Sequence, residues 1–214
     1  SVVSISGLMI IFFFSINMVS NDLERRTIYM ILSRPINKVQ YIFGKFIGLS
    51  LIVLLSSIIL GCCSAVSVKL ATLNAAGYIP QHFSWSTFFI GLVFLTLSLW
   101  LVMSMAFLCI SITSHPFTAV LISILSYFIG HNIEAVANII TRSQIYAENA
   151  FLIKLTQIAA WVFPNLAAFD LKTTAAYGLS IDPAYLCWVA LYGFSYIGIC
   201  LMLTIFMFQR RELS

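Results

Sequence analysis

NDLERRTIYMILSRPINKVQYIFGKFIG, residues Asn21–Gly48, is an island of charge and helix punctuation set between two long apolar runs, and it holds five of the chain's eleven basic residues. Asn21 is placed to N-cap a helix. Its side-chain oxygen can take an orphan backbone N–H while Glu24, three residues on, reaches back as in a capping box. Leu23, Thr27, Met30 and Ile31 then share one helical face, with Glu24, Arg25 and Arg26 crowding the first turns. Pro35 disfavours helical geometry at Arg34 and ends the run. The segment is too short and too charged to cross a bilayer, and a ladder of Arg34, Lys38 and Lys45 leads from it into the next apolar stretch. It predicts a short amphipathic helix lying at one membrane face.

The surrounding chain supplies the membrane part. Of 214 residues 61% are hydrophobic and 8% charged, where soluble domains carry about a quarter charged residues. Hydrocarbon about 30 Å thick takes about 20 apolar residues per helix. The expected fold is therefore all-α, a polytopic transmembrane helical bundle forming a single domain over residues 1–214. The net charge of +4 does not point to nucleic acid, because the basic residues flank apolar runs instead of forming a patch with interleaved aromatics. Cys62, Cys63, Cys109, Cys187 and Cys200 lie in apolar stretches without CxxC spacing and read as small buried residues. The chain opens at Ser1 directly in an apolar run, with no basic leader and no cleavage pattern, so no signal peptide is expected and a preceding segment is.

Five full spans are expected: Val2–Val19, Tyr41–Val66, Thr87–Ile112, Pro116–Val136 and Ala184–Phe208. Gly44 and Gly48 form a small-xxx-small pair at the start of the second. Ser67–Ser86 reads as a polar connection, and Thr113–Pro116 as a tight turn. Ala150–Phe163 is apolar but short for a span, and reads as an outer re-entrant or interfacial helix. With the island placed in the cytoplasm, that side carries Arg25, Arg26, Arg34, Lys38, Lys45, Arg210 and Arg211, and the far side Lys69, Arg142, Lys154 and Lys172. Seven against four favours this orientation, with the C-terminus cytoplasmic.

Candidate chemistry is sparse. Gly44-Lys45 lacks the upstream glycine of a P-loop, since Val39 stands there, and Phe46 replaces the Ser or Thr. The chain is thus not expected to hydrolyse ATP alone, and no cofactor is expected in it. His131 and Glu134, at i and i+3, are a two-ligand metal pair or, more simply, an anchoring or hydrogen-bonding pair. Met103 and Met105 sit two apart, on different faces of one helix. Asp170 and Lys172, in PNLAAFDLKTTAAYG, are outer-loop candidates for a substrate contact or a gate, beside the reading of a plain solvated loop.

The run Leu23–Gly48 resembles the signature region of type-2 ABC transporter permeases, in which a Glu, a Thr and a serine-x-proline segment precede a Gly-Lys at the start of the next span. FPNLAAFDLK, Phe163–Lys172, and the FQRREL ending, Phe208–Leu213, are similar to the branch of permeases associated with copper-enzyme maturation. Lys38 stands where many relatives have Arg. The resemblance implies six spans per subunit, an N-terminal elbow, a second permease copy or homologue, and separate cytoplasmic ABC ATPase subunits carrying ATP and Mg. It also gives the short helix a role as a coupling helix, with Glu24, Arg25, Arg26, Thr27 and Met30 as the ATPase contact. The implied protein is an exporter in a bacterial-type inner membrane, in contact with lipid. An ion-coupled carrier or channel is the alternative, but it favours intramembrane acids and the central parts of the spans hold none. A membrane metalloenzyme built on His131 and Glu134 is a third reading.

Overall fold

The computed structural model describes residues 2–15, 38–74, 84–113, 116–142, 150–177, 179 and 181–210, and among them there is no strand. The helices are α1 (Val2–Ile10, extended by a π-turn, Ile11–Ser15), α2 (Lys38–Asn74), α3 (Trp85–Ile112) and α4 (Pro116–Arg142). They continue with α5 (Ala150–Val162), a 3₁₀ turn (Ala167–Phe169), α6 (Lys172–Tyr177) and α7 (Pro183–Arg210). The expected coupling helix at Asn21–Pro35 lies outside the described residues, as do residues 16–19 of the first span and the tip of the 113–116 turn.

Among the described residues four helices, α2, α3, α4 and α7, are long and apolar enough to cross a membrane. The expected first span is represented by the shorter apolar helix within α1. Two boundaries differ from expectation. The connection assigned to Ser67–Ser86 is helical through Asn74 at one end and from Trp85 at the other. The fourth span runs on past Val136 to Arg142. Both differences have one cause. Lys69, Leu70, Ala71 and Leu73 are good helix formers, and neither residues 67–74 nor residues 137–142 hold a Gly or Pro. Polarity there marks where the chain leaves the hydrocarbon, not where the helix stops. At 37 residues, α2 is about 55 Å long and overshoots a bilayer.

The third span organises the bundle. In its apolar window 72% of residues are buried, against 22–33% in the other three long helices. A helix apolar all round is stable only where neighbours surround it, and α3 packs against α1, α2, α4, α6 and α7. Helix α7 lays its buried stripe, Val189, Gly193, Ile197, Cys200, Leu201, Thr204 and Phe208, along it. The Trp100 indole N–H of α3 donates to the Ser50 carbonyl of α2 at 3.1 Å, which satisfies a partly buried indole. Hydroxyls of Ser57, Thr96, Ser104, Ser123, Ser126 and Thr204 donate back to carbonyls three or four residues earlier in their own helices. Such internal bonding lets small polar residues sit at helix interfaces without orphaned donors.

Basic residues among those described lie toward both ends of the bundle. Lys45 and Arg210 lie at the end where α2 begins and α7 finishes, joined by stacking of Tyr41 on Phe208. Lys45 sits over the Tyr41 ring and Arg210 over Phe206. Helix α2 carries Lys69 near its other end, where α4, α5 and α6 carry Arg142, Lys154 and Lys172. Among the described residues nothing lies within 4 Å of a Cβ placed on Gly44 or Gly48, so the small-xxx-small face of α2 is open to them.

Candidate functional site

The segment between α5 and α6, Phe163–Leu171, folds back among the helices instead of lying over their ends. Irregular backbone within a membrane bundle needs its polar groups answered by protein, and here three tyrosines of α7 do much of it. Tyr196 Oη donates to the Val162 carbonyl at 2.6 Å, and Tyr185 Oη to the Ala168 carbonyl at 3.1 Å. The Asn165 backbone N–H donates to Tyr192 Oη at 3.0 Å. Tyr192 and Tyr196 stand roughly 14–20 Å along α7 from its first residue, so the segment dips well inside the bundle. The element expected as re-entrant or interfacial thus turns back among the helices, with α5 packed on α4.

Helix α4 supplies the other wall. The Leu166 N–H donates to the Gly130 carbonyl at 3.0 Å, and a Cβ on Gly130 would stand 2.6 Å from the Pro164 carbonyl oxygen. Only glycine permits that approach. Asn165 is held at both ends of its amide: Nδ2 donates to Glu134 Oε2 at 2.9 Å, and Oδ1 accepts from the Ala167 N–H. Phe169, 1% exposed, plugs the centre, against Gly193 and Tyr192 of α7. We expect Gly130→Ala to destabilise the fold by about 1–3 kcal/mol, the range for forced overpacking. Thermal unfolding in detergent checks this.

Behind the segment lies a cavity of about 50 Å³, reached by Ser4 of α1, Ser98 of α3, Tyr127 and His131 of α4, and Asp170 and Lys172. That volume holds roughly three waters. The Ser4 hydroxyl is buried without a hydrogen-bond partner, and a cavity water is the natural acceptor or donor for it. Asp170 and Lys172 close the rim. Lys172 Nζ pairs with Asp170 Oδ2 at 3.0 Å, and the Lys172 N–H donates to Asp170 Oδ1 at 3.2 Å. Their side chains are 29% and 42% exposed respectively, so the pair contributes at most about 1 kcal/mol to stability and can open cheaply.

A family model described as ABC-2 family transporter protein matches residues 2–213. The chain belongs to the ABC-2 transporter family. It is a multi-pass membrane permease of the ABC transporter class. A search of curated proteins gives no match.

In this ABC-2 permease the expected outer-site residues, Asp170 and Lys172, come together as an ion pair at a cavity. The expected ATPase-contact residues, Glu24, Arg25, Arg26, Thr27 and Met30, lie outside the described residues. Gly44 and Lys45 are inside α2, a continuous helix with no loop in which to cradle phosphate. His131 and Glu134 have separate occupations: His131 stacks on Tyr127 with centroids 5.8 Å apart, and Glu134 accepts from Asn165. Among the described residues no group of three or more His, Cys, Asp or Glu could hold a metal ion. Sequence reasoning missed Gly130, Asn165 and the three tyrosines. A weak signal existed: Tyr192 and Tyr196 share a helix face at i and i+4, an unusual pair of hydroxyls to aim at one place inside a span.

Proposed function

We propose that this chain is the membrane-spanning subunit of an ABC exporter, a single permease domain over residues 1–214 in a bacterial-type inner membrane, with its C-terminus in the cytoplasm. ATP and Mg are handled by separate cytoplasmic ATPase subunits, which dock on the helix at Asn21–Pro35 through Glu24, Arg25, Arg26, Thr27 and Met30. The observation that carries this reading is the ABC-2 match across nearly the whole chain, beside a Gly44-Lys45 pair that lacks P-loop spacing. The orientation is supported by the seven basic residues gathered on the side of that helix. A second permease copy or a homologue completes the transporter, and the open face at Gly44 and Gly48 supports close helix approach there. Exposed Ile, Leu and Phe around the remaining helices meet lipid.

Asp170 and Lys172 act in this scheme as the outer gate of the cavity at Ser4, Ser98 and His131. Asp170→Asn and Lys172→Gln each leave stability within about 1 kcal/mol of the parent, yet raise the basal rate of ATP hydrolysis by the assembled transporter as the gate loosens. The class itself is tested by purifying the tagged chain from native membranes and identifying what comes with it. A P-loop ATPase in stoichiometric amount is expected. Its absence, with uptake or efflux that follows an ion gradient and ignores ATP, makes the chain a secondary carrier.

A further inference from the structure

Among the described helices a single carboxylate stands, Glu134 of α4. It lies inside the stretch of α4 apolar enough to cross a membrane, Phe117–Ile140, roughly 12 Å along the helix from its end at Arg142. The residue is exposed, as are Ala135 and Val136 beside it. An acid so placed is costly unless a cation answers it. Asn165 Nδ2 donates to Oε2 at 2.9 Å, but among the described residues no cation pairs with Glu134 and nothing donates to Oε1.

A second polar group stands beside it with a bond to spare. Tyr192 Oη of α7 accepts the Asn165 backbone N–H at 3.0 Å, and among the described residues the hydroxyl proton has no acceptor. Asn165 therefore carries the carboxylate on its side-chain amide and the phenol on its backbone. It is itself fixed, because Oδ1 accepts from the Ala167 N–H and the next residue, Leu166, is bonded to the Gly130 carbonyl. Trp188 and Tyr185 stand one and two turns from Tyr192 on the same face of α7, toward the end of that helix at Pro183. Tyr192, Trp188 and Tyr185 are 37%, 71% and 45% exposed, a strip of the aromatics that settle where hydrocarbon meets headgroups. Ile199, two turns deeper on that face and also exposed, continues the strip in apolar form.

We propose that Glu134, Asn165 and Tyr192 form a site for the headgroup of an ethanolamine phospholipid, taken from the surrounding leaflet. The ammonium donates to Glu134 Oε1, a charge-assisted bond, and the Tyr192 O–H donates to a phosphate oxygen. Charge complementarity selects this occupant. The exposed carboxylate needs a cation, its place within the span needs that cation to arrive on acyl chains, and the free phenol proton needs an anionic oxygen on the same molecule. A trimethylammonium headgroup has no N–H to give, and a headgroup with only negative charge is repelled by Glu134. Trp188 and Tyr185 offer ring faces to the ammonium on its way in. Which leaflet supplies the lipid follows the orientation proposed above, whereas the binding chemistry is independent of it.

The test uses the transporter purified with its partner subunits, stripped of lipid in detergent and offered dioleoyl phospholipids one headgroup at a time, with native mass spectrometry as the readout. The wild-type chain is expected to keep phosphatidylethanolamine and to release phosphatidylcholine and phosphatidylglycerol, a comparison that needs no variant. Glu134→Gln keeps an oxygen for Asn165 and loses only the charge. It is expected to lower retention of the ethanolamine lipid about tenfold or more, the loss of one hydrogen bond to a charged group. Asp182→Asn removes a charge at the same end, where Asp182 accepts from the Ala184 N–H, and is expected to leave retention unchanged. Equal retention of the three lipids, undiminished retention by Glu134→Gln, or its loss from Asp182→Asn overturns the site. So does a wild-type chain that holds no ethanolamine lipid, the result expected if a second copy of this chain covers Glu134 instead.

Discussion

Arg26→Glu is expected to weaken the hold of the permease on its ATPase by about 30-fold to 4000-fold. A charge reversal at a hydrogen-bonded contact costs about 2–5 kcal/mol, and each 1.4 kcal/mol is about tenfold in affinity. The physical reason lies in the helix the sequence predicts at Asn21–Pro35, in whose first turns Glu24, Arg25 and Arg26 crowd beside the apolar face expected of Leu23, Thr27, Met30 and Ile31. A capped, proline-stopped amphipathic rod there would move as a unit, and under the proposed function motion delivered to it would pass to α2, which begins at Lys38, three residues after Pro35. Glu24→Lys should show the same loss. Both variants are expected to insert and unfold like the parent, because neither residue belongs to a span. The measurement is ATPase retained per permease after affinity purification, with ATP hydrolysis as a second reading. If the lipid headgroups alone hold that helix, both variants keep their ATPase.

Phe169→Ala is expected to be the most destabilising single change at the outer end, at about 3–5 kcal/mol for emptying a fully buried phenylalanine site. Phe169 packs against Gly193 and Tyr192 of α7, and it lines the cavity shared with Ser4 and His131. Removing it joins the cavity to the void left behind. The segment then loses its largest buried side chain and keeps its hydrogen bonds to Tyr185, Tyr192, Tyr196, Gly130 and Glu134. Thermal unfolding of the purified protein should fall well below that of Asp170→Asn, which breaks only a partly exposed ion pair. Equal shifts for the two variants contradict the assignment of Phe169 as the anchor.

Much of this bundle was legible in its sequence, and the exceptions share a physical origin. The third and last spans were placed to within two residues at each end, Trp85–Ile112 and Pro183–Arg210, because Thr113 and Pro183 are helix punctuation as well as polarity changes. The second and fourth were cut short, because Lys69 and Asn138 change the solvent without breaking the helix. Asp170 and Lys172 were recognisable as a pair, but the cavity they close depends on α1 and α4 arriving beside them, which no local pattern encodes. Gly130 looks like any other glycine in an apolar run until Pro164 is brought against it. Met105 and Cys200 meet from 95 residues apart, a contact that no local spacing announces. Helical periodicity describes one helix at a time, whereas these sites are made where two or three helices meet.

The claim on which the rest depends is that the Asn21–Pro35 helix receives an ATPase. Placing a photo-crosslinking amino acid at Thr27 tests it directly, in membranes and without purification. The account predicts an ultraviolet-dependent adduct between this chain and a P-loop ATPase, weakened when the same chain carries Arg26→Glu. An ATPase that co-purifies with the chain yet forms no adduct at position 27, while forming one from a probe elsewhere on the same membrane face, contradicts it.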